Sequence, residues 1–84
     1  MALTTTADQA IVFGVGNDWD GAVARTLPAG RSIVSQWVDT SAGDTFWVQR
    51  RDDPVAAAGT VVTTSDTAPT NHRWNLVAIE VLPL

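Results

Sequence analysis

The sequence predicts an all-β fold, an antiparallel β-sandwich or barrel of about five to six strands. Three observations support this prediction. Short β-branched and aromatic runs recur along the chain, clusters of Gly, Asp, Asn, Ser and Pro separate them, and no stretch keeps a helical period over ten residues. A chain of 84 residues has room for one domain, so residues 1–84 are expected to form a single β-sandwich-like unit.

The β-rich runs give the expected strands in order. They lie at Gln9–Val15, Arg31–Val38, Asp44–Arg51, Gly59–Ser65 and His72–Leu82, with a possible short strand near Ala2–Thr6.

The connections between these runs carry turn-forming residues. Asp39–Gly43 reads DTSAG and predicts a hairpin between its flanking strands, and Asp52–Ala58 predicts a second, looser hairpin. Gly16–Gly30 is a long loop, which we expect Trp19 to anchor. Asp66–Asn71 is a polar crossover into the last strand.

Side-chain alternation predicts strands that are apolar on both faces, because residues two apart share a face. In the last strand Trp74, Leu76 and Ala78 oppose Val77, Ile79 and Val81, and in the Gln9–Val15 strand Ile11, Phe13 and Val15 likewise oppose Ala10 and Val12. In the Asp44–Arg51 strand Phe46 and Val48 face away from Thr45, Trp47, Gln49 and Arg51. Strands of this kind lie between two layers. The chain therefore either folds into two sheets or needs a partner to cover one of them.

Composition excludes several classes of function. The absence of cysteine removes disulfides, thiol catalysis and cysteine-based zinc sites, and the net charge of −4 with no lysine disfavours nucleic acid as a partner. No apolar run approaches the roughly 20 residues that span a bilayer. Met1 does not begin a signal peptide, and no cofactor motif occurs. Stability must come from packing, to which four tryptophans can contribute.

Three phrases carry a family resemblance: VFGVGNDWDGAVART at 12–26, VDTSAGDTFWVQ at 38–49 and DTAPTNHRWNLVAIEV at 66–81. Together they resemble the second half of an immunoglobulin-like β-sandwich module of large secreted or surface-exposed bacterial proteins. That resemblance implies an extracellular or cell-surface setting in a parent protein. It also implies that an N-terminal set of strands normally precedes this part, so that two copies of the chain could supply one another's missing layer.

Two acidic or histidine-bearing segments are weak candidates for a chemical site. Asn17, Asp18 and Asp20 partly imitate a calcium loop, although an Asx-turn loop is the commoner meaning of such a run. His72 is the only histidine, so a small hydrolase would have to be centred on it, and no nucleophile-elbow motif accompanies it. We therefore predict no catalytic and no metal-binding residues.

The aromatic residues of the predicted hairpin are the candidate binding or interface residues. Trp37 and Trp47 lie on its two strands, and Trp47 shares a face with Gln49 and Arg51. Such a set fits an interface core, and it also fits a stacking platform for a sugar. The leading hypothesis is a non-enzymatic structural or protein-interaction module that self-associates, as a dimer for instance. The alternative is a carbohydrate-binding module with a glycan as its ligand.

Overall fold

Six strands build the fold, and the computed structural model describes all residues, 1–84. The strands are β1 (Ala2–Thr4), β2 (Ile11–Asp18), β3 (Arg31–Asp39), β4 (Asp44–Arg51), β5 (Val61–Thr63) and β6 (Trp74–Val81). They form a four-stranded sheet in the order β3-β4-β2-β6 and a two-stranded sheet of β1 and β5, and every pairing is antiparallel. The predicted all-β sandwich class is confirmed.

The hairpin predicted at 39–43 is confirmed, because β3 and β4 pair from Asp39–Asp44 outward. Gly43 adopts a positive φ of 75° in this turn, a conformation that glycine reaches without steric cost. The ladder is interrupted between Ile33 and Ser35 by a β-bulge, which leaves Val34 unpaired and exposed.

The second hairpin, predicted at 52–58, is wrong. β5 pairs with β1 and not with β4, because both edges of β4 are already occupied by β2 and β3. The chain instead leaves the large sheet after Arg51, and the backbone N–H of Val55 donates to the Ala10 carbonyl at 2.8 Å. Residues 52–60 therefore cross from one sheet to the other. The 66–71 segment crosses back to the large sheet before β6, as predicted.

The long loop begins later than predicted, since Gly16, Asn17 and Asp18 belong to β2 and pair with both β4 and β6. Gly16 appears in the sequence as a strand breaker, but here it makes room for Trp47. A Cβ at Gly16 would lie 2.3 Å from the Trp47 ring. Glycine is therefore required by close packing at this position and not by a turn.

The small sheet packs on one face of the large sheet, here called the inner face. The buried aliphatic core consists of Val12 from β2, Val55 from the 52–60 connection and Val62 from β5. Leu3 of β1 packs against these three residues. The opposite face of the large sheet, here called the outer face, has no layer over it. Its apolar side chains are Ile11, Phe13, Val15, Trp37, Phe46, Val48, Val77, Ile79 and Val81.

Candidate functional site

The predicted alternation in β4 is confirmed and divides the predicted binding residues between two faces. Trp47 and Gln49 are buried on the inner face, with Trp47 only 2% exposed. Arg51 follows in the same alternation and is half-buried. Trp37 lies on the outer face and is 62% exposed. The two indoles therefore belong to different environments and do not form one surface.

Trp47 is held by polar partners inside the protein. Its Nε1 donates to Gln49 Oε1 at 2.8 Å, and Gln49 Nε2 donates to the Ser65 carbonyl at 3.0 Å. The Arg25 guanidinium lies over the indole, 4.2 Å from the ring centroid, and Trp74 meets it edge-on at 6.1 Å. With both its ring face and its N–H engaged, Trp47 cannot stack against a ligand from solvent.

A buried charge cluster surrounds the same indole. Arg25 Nη2 lies 2.7 Å from Asp18 Oδ2, and Arg25 Nε lies 3.3 Å from Asp66 Oδ2, with all three side chains almost inaccessible to solvent. These are close ion pairs and not well-aligned hydrogen bonds. His72 Nδ1 contacts Asp18 Oδ2 at 2.7 Å. The cluster joins β2, the loop at 19–30, and the 66–72 segment.

The two carboxyl groups of this cluster are affected in opposite directions. Burial raises the pKa of Asp18, but the hydrogen bonds from His72 and the Asp20 backbone N–H, together with the charge of the adjacent Arg25, outweigh it, and the pKa lies below its ordinary value. Burial also raises the pKa of Asp66, and there the nearby Arg25 does not compensate. Asp18 is therefore the main counter-ion of Arg25.

The loop at 19–30 is anchored by these polar contacts and not by Trp19, which is 46% exposed. Thr45 Oγ1 accepts the N–H of Val23 at 2.9 Å, and the N–H of Arg25 donates to Gln36 Oε1 at 2.8 Å. The expectation that Trp19 would anchor the loop is wrong, because the buried side chain that ties the loop to the rest of the protein is Arg25. A buried arginine in the phrase AVART has no sequence signal that marks it in advance.

The calcium-like residues do not converge on one point. Asn17 and Asp18 are consecutive strand residues, so their side chains lie on opposite faces. Asp18 Oδ1 accepts the N–H groups of Asp20 and Gly21, as an Asx-turn does, and Asp20 makes a salt bridge to Arg73 at 2.8 Å. Their oxygens are thus committed to groups of the chain itself. The imidazole of His72 has Asp18 as its hydrogen-bonded partner and receives no serine or threonine hydroxyl.

The outer face is the feature that remains without an internal partner. Trp37 stacks on Phe46 with ring centroids 5.9 Å apart, and Val15 lies beside Val48 and Val77 in the ladder. Val77 is 58% exposed, and the rest of the face is exposed or half-buried. The predicted alternation places Val77, Ile79 and Val81 of β6 on this face, and Trp74 and Leu76 on the inner face. It is this second apolar face that the chain leaves uncovered.

Comparison with known protein-family models, with curated proteins and with solved structures gave no match. The resemblance to bacterial surface modules therefore stays a prediction. No segment of the chain forms a helix that is long and apolar enough to cross a membrane.

Proposed function

We propose that this chain is a non-enzymatic structural or protein-interaction module that self-associates, and that two copies meet through the outer face. The observation that carries the proposal is the contiguous set of large apolar side chains on one side of the four-stranded sheet. Monomeric proteins rarely expose an apolar patch of more than a few hundred Å². A second copy supplies the missing layer of a sandwich.

The size of the face is compatible with a weak dimer. Four strands about 4.8 Å apart and eight residues of about 3.3 Å each give a plane of about 500 Å² on each copy. Two such faces bury at most roughly 1,000 Å², when they overlap completely, and roughly 800 Å² when they cross steeply, which is the size range of small, weak interfaces. An exposed aromatic pair, Trp37 and Phe46, lies on this face and is the kind of anchor that dominates interface energy.

The charge distribution also favours association through this face. The protein carries a net charge of −4, so surfaces that display its carboxylates repel their own copies. Arg50 is the one charged side chain in the middle of the outer face, and the acidic pair Asp39 and Asp44 lies at its hairpin end, beside Trp37 and Phe46. The Arg50 guanidinium lies 5.8 Å from the Phe13 ring centroid and donates to backbone carbonyls of Arg51 and Asp52.

Solution mass measured by light scattering or sedimentation at tens of micromolar tests the proposal, with Val77→Lys as the disrupting variant. Val77 is 58% exposed on the outer face, and Val61 is 66% exposed on β5 of the small sheet, so Val61→Lys is a matched control. Neither change removes buried packing, and both variants should fold. We expect dimers of the wild type and of Val61→Lys, and a monomer of Val77→Lys. A monomeric wild type would refute the proposal.

The carbohydrate-binding alternative now depends on Trp37, the indole that solvent reaches on the predicted hairpin. If it holds, Trp37→Ala abolishes retention on an insoluble polysaccharide, while Val77→Lys leaves retention unchanged. We also propose an extracellular or cell-surface setting in a parent protein, which rests on the predicted family resemblance alone.

A further inference from the structure

The apolar residues of the outer face form an oblique band and not a full rectangle. At the hairpin end the band begins with Trp37 on β3 and Phe46 on β4, which are ladder partners. It continues through Val48 and Val15, again partners. It ends at the other end of the sheet with Val81 on β6. The band therefore runs diagonally across the face, from beside the acidic pair Asp39–Asp44 at the hairpin end to the far end of β6.

The two remaining corners are polar. At the hairpin end, Asn17 of β2 is paired with Asn75 of β6. At the other end, Ser32 of β3 is paired with Arg50 of β4. These corners lie on opposite sides of the apolar band, so the pattern divides the face symmetrically about the band.

The direction of the band follows from sheet geometry. Across the sheet, Trp37 and Val81 are three strands apart, which is about 14 Å. Along the strand direction they are six residues apart, which is about 20 Å. The line that joins them is thus inclined by about 35° to the strands.

A two-fold axis that brings one face onto the same face of a second copy lies in the plane between them. When the axis runs along the band, apolar residues meet apolar residues, and each polar corner faces the other polar corner at the rim. When the axis runs parallel to the strands, Trp37 meets Asn75 and Ile79 meets Ser32, which buries polar groups against apolar ones. When the axis runs across the band, Arg50 meets the Arg50 of the other copy, and like charges repel.

We propose that two copies pack outer face to outer face about a two-fold axis along the Trp37–Val81 band, with their strands crossing at about 70°. This arrangement rests on the self-association proposed above. Its crossing angle is twice the inclination of the band and approaches the orthogonal class of sheet packing, not the aligned class at about 30°. In this arrangement the polar corners with Asn75 and Ser32 lie at the rim, where water reaches them.

Cross-linking tests the arrangement cleanly, because the chain has no cysteine and each introduced thiol is the only one. Val48→Cys and Val81→Cys place a conservative thiol at two points of the proposed axis. Asn75→Cys and Ser32→Cys place one at each polar corner. A short bis-maleimide should convert most of the Val48→Cys and Val81→Cys proteins to covalent dimers and leave the two corner variants as single chains on a denaturing gel.

The possible results separate the docking geometry from self-association itself. Efficient self-linking of Asn75→Cys would show an axis across the band and overturn the arrangement. Linking of Val48→Cys without Val81→Cys would show an aligned pair and overturn it too, although the mass of the unlinked proteins would still be that of a dimer. A monomeric mass for wild type and all four variants, with no cross-link, would remove both proposals.

Discussion

Gly16→Ala tests the close packing that organises the inner face. The new Cβ would lie 2.3 Å from Trp47 Cζ2, 2.5 Å from Cη2 and 2.6 Å from Cε2, whereas carbon atoms in contact are about 3.5 to 4.0 Å apart. The ring would have to retreat by more than about 1 Å. Gln49, Arg25 and Trp74 hold it in place, so such a movement breaks other contacts.

The expected cost of this overpacking is about 1 to 3 kcal/mol of unfolding free energy. Each kcal/mol lowers the Tm of a domain of this size by about 4 to 8 °C. Gly16 lies in a strand without a positive φ, so alanine is tolerated by the backbone and would otherwise stabilise the strand by roughly 0.5 to 1 kcal/mol. Urea unfolding followed by far-UV circular dichroism measures the net effect.

A double-mutant cycle with Trp47→Phe sharpens the test. Phenylalanine lacks the indole atoms nearest to the new Cβ, so Gly16→Ala should cost less in that background, with a coupling energy of about 0.5 to 3 kcal/mol. A cycle without coupling would refute the reasoning.

Four further predictions concern the buried charges and the hairpin. Asp18→Asn should cost about 3 to 5 kcal/mol in urea unfolding because it leaves Arg25 buried without its main counter-ion, whereas Asp66→Asn should cost far less; equal losses would contradict the assignment. Because the pKa of Asp18 in the folded protein lies below its ordinary value of 3.8, the stabilisation by its carboxylate is present above pH 3.8 and is lost as the pH falls through the folded pKa. The unfolding free energy of Asp18→Asn should therefore fall less steeply with acid than that of the wild type. The raised pKa of Asp66 has the opposite sign: it lowers stability as the pH rises above 3.8, and Asp66→Asn should remove that loss. Gly43→Ala should lower the unfolding free energy by about 1 to 2 kcal/mol, since φ is 75° there. Asparagine adopts such a φ more readily than alanine, so thermal melting should give Gly43→Asn a Tm between those of Gly43→Ala and the wild type.

Much of the architecture could be predicted from local sequence. Alternation in β4 correctly separated Phe46 from Trp47, and the DTSAG turn correctly paired β3 with β4. Both signals act between residues close in the chain, through the two-residue period of a strand and the conformational preferences of turn residues. The same period predicted the second apolar face, from which the proposed self-association follows.

Non-local contacts decided the features that the sequence misassigned. Gly16 is a strand residue because Trp47 from another strand lies against it, and Arg25 is buried because Asp18 and Asp66 are brought beside it from distant positions. β5 pairs with β1 because the edges of β4 were already taken. The sequence by itself therefore determined an all-β chain with strands apolar on two faces. Only the tertiary structure decided which face the chain covers with its own residues, because that depends on partners far apart in the chain.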